Sequence, residues 1–121
     1  MSQAKASAAL LEQLGKSLAS EGQSIAAKVK GVIVFKIDEA EWTLDLRLDN
    51  EGERLYQGPP KDDLKADLTL TLSDTNFVAL VMGKLNPQQA FLMRKLKIQG
   101  SMGMAMKLQP ILDAAQPQSK L

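Results

Sequence analysis

The side chains of this sequence that could do acid–base or metal chemistry are mainly carboxylates, because the chain contains no histidine and no cysteine. Without histidine there is no Ser-His-Asp triad and no general base of the commonest kind near neutral pH. Without cysteine there is no thiolate nucleophile, no disulfide framework and no zinc cluster of the usual kind. The remaining options are carboxylates, lysine, tyrosine and hydroxyl groups, so the composition disfavours an enzyme.

Acidic residues cluster at three places, and none has the spacing of a catalytic or metal site. Residues 49–53 (Asp-Asn-Glu-Gly-Glu) are similar to a calcium loop, but Gly52 is fourth from the first acid instead of sixth. No glutamate occupies the twelfth position, so a reverse turn is the better interpretation. Residues 38–41 and 62–63 fall in polar loops, where burial could not easily raise a carboxyl pKa toward neutrality. We therefore predict no catalytic residue, no metal site and no cofactor.

The composition is that of one soluble globular domain that does not bind nucleic acid. The 121 residues suffice for a single core, and 45% of them are hydrophobic. The 15 basic and 14 acidic residues lack the positive excess of a nucleic-acid binder, and 4% aromatic residues are too few for base stacking. Six methionines are many for this length and indicate an easily deformed core.

Arg94, Lys95 and Lys97 form the one basic cluster of the sequence. The ordinary interpretation is a solvated strand edge. The alternative is transient contact with an anionic lipid head group or a membrane surface.

The N-terminal segment predicts a helix over residues 2–20, because leucines recur there at a spacing of four. We expect Gly22 to end this helix, with a short helical continuation over residues 25–29. The mixed charges and the lack of a long apolar run argue against a secretory signal or a membrane anchor.

From Val32 the apolar period changes from about four to two, which indicates strands. The clearest run is residues 42–48, where apolar residues alternate with polar ones and predict one buried and one solvated face. Residues 58–60 (Gly-Pro-Pro) must leave the sheet, since proline has no amide donor. We predict a mostly antiparallel sheet with one solvated face. The predicted strands are residues 32–37, 42–48, 53–57, 67–73 and 96–100.

Capping signals predict three short helices in the C-terminal half. Ser73 caps the first, Asn86 caps the second with proline at its first position, and Ser101 caps a final methionine-rich helix. Pro110 is expected to end or kink that helix. We place a single domain at residues 1–114 and a flexible tail at residues 115–121.

Met102, Met104 and Met106 are unusual, because a spacing of two spreads three side chains around most of a helix. Some of them should therefore face something other than a conventional core. Methionine is unbranched and polarizable, which suits the lining of a cavity whose contents vary. The alternative is that all three are ordinary gap-filling core residues.

The last three residues, Ser119, Lys120 and Leu121, match the tripeptide that the peroxisomal import receptor reads at a free C-terminus. A chance match at three positions occurs roughly once in 8,000 sequences. The polar, proline-containing approach would leave the tripeptide exposed for capture. The sequence thus predicts a protein of the peroxisomal matrix.

Two segments resemble the sterol carrier protein 2 family, also called non-specific lipid-transfer proteins. They are residues 81–91 (VMGKLNPQQAF) and residues 95–108 (KLKIQGSMGMAMKL). The strand from Trp42 and the strand-to-helix passage over residues 67–77 are similar as well. A free-standing domain that ends in Ser-Lys-Leu is most similar to the plant member. Arg94 departs from the family's pattern, in which a small residue often precedes Lys-Leu-Lys-Ile.

The resemblance implies an α/β (α+β) fold in which helices cover one face of about five strands, with an apolar lipid tunnel between the sheet and the C-terminal helices. It implies a monomer that binds and transfers fatty acids, fatty acyl-CoA, phospholipids and sterols non-specifically, without catalysis. On this basis we expect the final helix to move as a lid. The residues expected to line the tunnel are Phe77, Leu80, Val81, Phe91, Met102, Met104, Met106, Ile111 and Leu112.

Two other functions remain open. One is an interaction module that presents acyl-CoA to β-oxidation enzymes. The other is a small hydrolase that uses carboxylates.

Overall fold

The computed structural model describes residues 6–48, 54–61 and 64–115 of the chain. Within these ranges a long helix precedes a five-stranded sheet, and the remaining helices are short. In chain order the elements are α1 (Ala6–Val29), β1 (Val32–Ile37), β2 (Ala40–Asp45), β3 (Leu55–Gln57), β4 (Leu68–Leu72), α2 (Asp74–Val81), α3 (Pro87–Leu92), β5 (Leu96–Gly100), α4 (Met102–Ala105) and α5 (Gln109–Ala115).

Helix α1 runs without a break through Gly22, so the prediction that this glycine ends the helix is wrong. Gly22 is buried, and a β-carbon there would lie 3.1 Å from the Arg54 side chain. The glycine therefore provides space for Arg54 rather than a helix stop. The chain leaves the helix at Lys30, whose φ of 55° is left-handed.

The sheet has the strand order β3-β2-β1-β4-β5. β1 and β4 are parallel and the other neighbouring pairs are antiparallel, which confirms a mostly antiparallel sheet. Ile33, Phe35 and Leu70 lie on one face and pack in one core with residues of α1, α2 and α5. Ser17 on α1 ties α5 to this layer, because its hydroxyl donates to the carbonyl of Ala114 at 2.9 Å. Helices thus cover one face of the sheet, as expected.

The opposite face is more buried than predicted. Thr43 and Asp45 of β2 were expected in solvent, but they are 0% and 3% exposed. Thr43 donates a hydrogen bond of 2.8 Å from its hydroxyl to the carbonyl of Gly58, so chain that follows β3 covers this part of the face. Strand β2 also ends at Asp45, which leaves Leu48 47% exposed instead of buried.

The predicted helix caps are confirmed. Ser73, Asn86 and Ser101 each accept a hydrogen bond from a backbone amide in the first turn of α2, α3 and α4. Pro110 does not end the last helix. It lies in the first turn of α5, where a missing amide hydrogen leaves no helical bond unmade, and α4 has already ended at Ala105. Helix α5 includes the buried Ala115, which is the first residue of the predicted tail.

Asp67 joins three parts of the fold at the start of β4. Its carboxylate accepts a hydrogen bond of 2.9 Å from the amide of Val32, and its own amide donates to the Val32 carbonyl at 2.8 Å. Its carbonyl accepts the amide of Ser101 at 2.8 Å. β1, β4 and the entry to α4 are therefore fixed to one another through one residue. Gly100, with φ 108°, lies directly against this backbone.

We expect Gly100→Ala to lower the free energy of unfolding by about 3–5 kcal/mol. A β-carbon at this position would collide with the Asp67 carbonyl, and the backbone angle disfavours any side chain. Gly83→Ala is the matched control, because Gly83 also has a positive φ of 80° but no atom within 4 Å of the added carbon. The control should cost only ~1–2 kcal/mol in urea unfolding. Equal losses in the two variants would contradict the close contact at Gly100.

Asp45 is a buried carboxylate held by Arg47. The Arg47 Nη2 and Nε donate to it at 2.7 and 2.9 Å, and the Arg47 amide donates at 3.1 Å. Burial alone would raise the pKa of Asp45, but these hydrogen bonds, with the charges of Arg47 and Arg54, outweigh burial and hold the pKa below its ordinary value. The stabilisation is therefore complete above the unfolded-state pKa and is lost as pH falls through the lower folded-state pKa.

Asp45→Asn should lower the free energy of unfolding by about 2 kcal/mol at pH 7, where the wild-type carboxylate is ionised. The difference between wild type and variant should shrink as pH falls below ~4, because the wild type then loses the same interaction. Urea unfolding from pH 7 to pH 2.5 measures this. Glu12→Gln removes an exposed carboxylate as a control and should change stability by less than ~0.5 kcal/mol. A difference that is independent of pH would contradict the assignment.

Candidate functional site

An apolar groove lies where α3, β5 and α4 meet, and we call it the methionine groove. Its volume is about 260 Å³. Its lining consists of Pro87, Gln88, Phe91, Leu92, Ile98, Met102, Ala105 and Met106. None of these eight residues carries a charge, and Gln88 is the only one with a polar side chain. Such a lining offers dispersion contacts and apolar burial but no general acid, base or metal ligand.

The end of α3 determines which side chains reach the groove. The helix closes with the Arg94 amide donating to the Phe91 carbonyl at 3.1 Å and the Lys95 amide to the Ala90 carbonyl at 2.8 Å. This closure needs a left-handed residue at Arg94, whose φ is 62°. Ala90 faces the core, whereas Leu92 is 78% exposed at the groove.

Helix α4 divides the three methionines between the groove and the core. The Ser101 hydroxyl accepts the Met104 amide at 3.2 Å and so starts the helix directly after β5. Met102 and Met106 then line the groove and are 49% and 62% exposed. Met104 is buried and lies against Gly31, where a β-carbon would be 2.7 Å from its terminal methyl group. The spacing of two therefore gives two groove residues and one core residue.

The structure brings three of the nine predicted lining residues to the groove: Phe91, Met102 and Met106. The other six are buried in the core: Phe77, Leu80, Val81, Met104, Ile111 and Leu112. Phe77 packs edge-on against Phe35, with ring centres 5.9 Å apart. These six belong to the buried core cluster, which also includes Ala105 of the groove and against which Ile98 packs.

Sequence reasoning missed five groove residues: Pro87, Gln88, Leu92, Ile98 and Ala105. A signal for Leu92 was available, because the apolar run over residues 90–93 is longer than one buried face of a short helix requires. Ile98 lies on the core-facing side of β5, where it is half-buried beside the groove. The sequence signal at Pro87 indicates only the start of a helix.

A second cleft of about 760 Å³ lies between α1 and β3. Although it is larger, its lining includes the charged residues Glu12, Lys16 and Arg54. The Arg54 guanidinium is already bound, since Nη1 donates to the Arg47 carbonyl at 3.0 Å and Nη2 to Gln23 Oε1 at 2.8 Å. Its mixed charged lining fits an acyl chain less well than the methionine groove does.

The described carboxylates form no cluster of the kind that holds a metal ion. No group of three or more acidic side chains among residues 6–48, 54–61 and 64–115 could hold a metal ion. Asp38 accepts the amide of Asp74 at 3.2 Å, and Asp45 is held by Arg47. Residues 49–53, residues 62–63 and the tripeptide Ser119–Leu121 lie outside the described ranges.

Across the described ranges, no helix combines the length and the apolar character that crossing a bilayer requires.

Sequence comparisons match nearly the whole chain. Residues 11–113 match the profile of the SCP-2 sterol transfer family. Sterol carrier protein 2 of Homo sapiens is 42% identical over 106 residues, which are 83% of this chain and 18% of the human protein. Peroxisomal multifunctional enzyme type 2 of Mus musculus is 39% identical over 111 residues, which are 88% of this chain and 15% of that enzyme. The chain thus spans less than a fifth of the length of these relatives.

Solved structures share the fold. Sterol carrier protein 2 from Yarrowia lipolytica, in its apo form, has a TM-score of 0.75 and 31% identity over 89% of this chain and 90% of that one. Sterol carrier protein 2 from Aedes aegypti in complex with palmitate has a TM-score of 0.64 over 94% of this chain and 98% of that one. The identity to the Aedes protein is 22%, so this likeness speaks for the fold alone.

Proposed function

Because this chain belongs to the SCP-2 sterol transfer family, we propose that it binds lipids by their apolar chains in the methionine groove and transfers them between membranes. The observation that carries the proposal is the groove itself, an uncharged concave surface formed by flexible methionines and aromatic and aliphatic side chains. A relative of the same fold is described in complex with palmitate, a C16 fatty acid.

Transfer through water is slow because the acyl chain must leave its apolar surroundings. At ~0.8 kcal/mol per methylene, exposing a C16 chain with ~14 methylenes costs on the order of 11 kcal/mol. A carrier lowers this cost by covering the chain during transit. It needs apolar area and a way in, and no titrating group takes part.

The groove is too small to cover a whole acyl chain. Its volume of about 260 Å³ falls just under the range of ~300–1,000 Å³ for sites that enclose drug-sized ligands. We infer that the chain enters past Met102 and Met106 and continues toward the core, where Met104, Ile111 and Leu112 would separate. Helix α5 would then move as the lid.

A closely packed core agrees with the energetics of cavities. An empty rigid cavity of 300 Å³ would cost roughly 7 kcal/mol at ~24 cal/mol per Å³, which is comparable with the total stability of a small domain. Packing of the six predicted lining residues in the core avoids this cost. Ligand binding then exchanges side-chain contacts for contacts with the lipid.

The uncharged lining also supports low selectivity. The groove residues offer the ligand one amide side chain, Gln88, and its Nε2 already lies 3.5 Å from the Met106 sulfur. Head groups would therefore remain outside, and fatty acids, fatty acyl-CoA, phospholipids and sterols would compete through their apolar parts.

A location in the peroxisomal matrix forms part of the proposal. It rests on Ser119-Lys120-Leu121, read by the import receptor where Leu121 is the free C-terminus, and on relatives named as peroxisomal enzymes. The second candidate function, presentation of acyl-CoA to β-oxidation enzymes, is favoured by the same relatives, of which this chain matches only a part. Both functions use the same groove and need no catalytic residue.

Met102→Asp combined with Met106→Asp should abolish uptake of a fluorescent fatty acid, because charged groups would enter the apolar groove. Both side chains are largely exposed, so the fold should persist by circular dichroism. Met82→Asp is the matched control, because Met82 is 46% exposed and does not line the groove. It should bind like the wild type. Unchanged uptake by the double variant would overturn the site.

Transfer assays separate the two candidate functions. Purified protein should move a fluorescent phospholipid from donor to acceptor vesicles without any partner enzyme, and the double variant should not. Binding of acyl-CoA without vesicle-to-vesicle transfer would favour the presenting module instead.

A further inference from the structure

Positive charge is concentrated in one continuous segment of this nearly neutral chain. From Thr75 to Leu112 there is no aspartate or glutamate. The segment contains five basic residues, all exposed: Lys84, Arg94, Lys95, Lys97 and Lys107. Since the whole chain has 15 basic and 14 acidic residues, the remainder is acidic on balance. Within the described part of the chain, none of these five side chains forms an ion pair.

Exposed apolar side chains are concentrated in the same segment. Seven large hydrophobic residues are exposed in the described ranges, and Leu48 is the only one outside it. The six inside are Met82, Phe91, Leu92, Met93, Met102 and Met106. Leu92 reaches 78% exposure. Contiguous apolar exposure beside charged residues is typical of an interaction surface.

Four of the five basic residues are close in sequence to residues of the methionine groove. Lys107 is next to Met106, whereas Lys97 lies on the face of β5 opposite to Ile98, because successive residues of a strand point to opposite faces. Lys84 precedes Pro87 by three residues, and the Arg94–Lys95 pair directly follows the α3 residues that line the groove. Asp67, whose carbonyl accepts the Ser101 amide at the end of β5, already accepts the Val32 amide with its carboxylate.

Arg94 occupies a position whose backbone favours another residue type. Its left-handed φ of 62° closes α3, a conformation that glycine or asparagine adopts at lower cost. Its side chain is exposed and forms no ion pair among the described residues. This conformational cost is therefore not offset by an ion pair among the described residues.

We propose that Lys84, Arg94, Lys95 and Lys107, together with the exposed Phe91, Leu92 and Met93, form a docking face that places the mouth of the methionine groove on an anionic lipid bilayer. Cations attract acidic head groups, and apolar side chains insert at the acyl boundary. Nucleic acid or an acidic protein surface would engage the charges and leave the apolar side chains in water. The inference rests on the proposed function, because docking serves to bring the groove to its lipid.

The first test measures flotation of the full chain with vesicles of phosphatidylcholine and phosphatidylserine at 3:1, and with phosphatidylcholine alone. The wild type should bind the anionic vesicles and lose most binding between 0.05 and 0.5 M NaCl. Lys84→Glu/Arg94→Glu/Lys95→Glu should bind at least about 100-fold more weakly, since loss of each cation near such a surface costs about fivefold and each glutamate adds repulsion. Lys16→Glu/Lys28→Glu/Lys65→Glu, which reverses three exposed charges outside the segment, should lose less than about tenfold.

The second test uses a variant that cannot fail by unfolding. Arg94→Gly relieves the left-handed backbone and should raise the melting temperature, yet it should bind anionic vesicles about fivefold more weakly. Leu92→Ser should weaken binding about tenfold, whereas Leu48→Ser, at an exposed leucine outside the segment, should not.

Several results would overturn the docking face. Equal binding to neutral and anionic vesicles would do so, as would wild-type binding by the triple variant or equal losses in the two triple variants. A salt-sensitive complex with an acidic protein, unaffected by Leu92→Ser, would assign the face to that partner class. Uptake of a soluble fluorescent fatty acid is measured in parallel without vesicles. If the wild type binds anionic vesicles but takes up no fatty acid, the methionine groove is rejected as the lipid site. If it takes up fatty acid but does not bind anionic vesicles, the docking face is rejected.

Discussion

The fold depends most on the close approach of the Gly100 backbone to Asp67. Through this residue β1, β4 and the start of α4 share one set of backbone hydrogen bonds, with the Asp67 carboxylate as an additional acceptor for Val32. The groove is assembled from β5 and α4 on one side of this junction and from α3 on the other. Because Ser101 both binds Asp67 and caps α4, the positions of Met102 and Met106 follow from the sheet itself.

Helix α4 is too short to be stable by itself, so its position depends on these tertiary contacts. The four residues of this helix include both Met104, which is buried in the core, and Met102, which lines the groove. Such a unit can shift by small amounts without breaking a long hydrogen-bond ladder. Helix α5 packs on α1 and ends in the buried Ala115, so a larger movement of α5 would require a concerted change in the core.

Local signals in the sequence were sufficient for the starts of α2, α3 and α4, but not for the division of the last helical segment into α4 and α5. Ser73, Asn86 and Ser101 act through side-chain bonds to amides two or three residues away, and such bonds are visible in sequence. Gly22 was misread because its role depends on Arg54, which is distant in sequence. Thr43 and Asp45 were misplaced for the same reason, since a period of two identifies alternate faces and leaves open what covers each one. The groove was found only in part, because it is enclosed by two helices, α3 and α4, and one strand, β5, which come from separate segments.

The docking face proposed above would carry positive charge on a molecule whose net charge is only +1. In the field of a negatively charged surface such a charge distribution experiences a torque before any atom touches. Screening confines this effect to separations of ~8–10 Å at physiological ionic strength. In the proposed docking, rotational alignment therefore occurs in the last step of an encounter, and it turns the segment from Thr75 to Leu112 toward the surface. A near-neutral protein can thus arrive in one orientation and still diffuse freely when it is away from the surface.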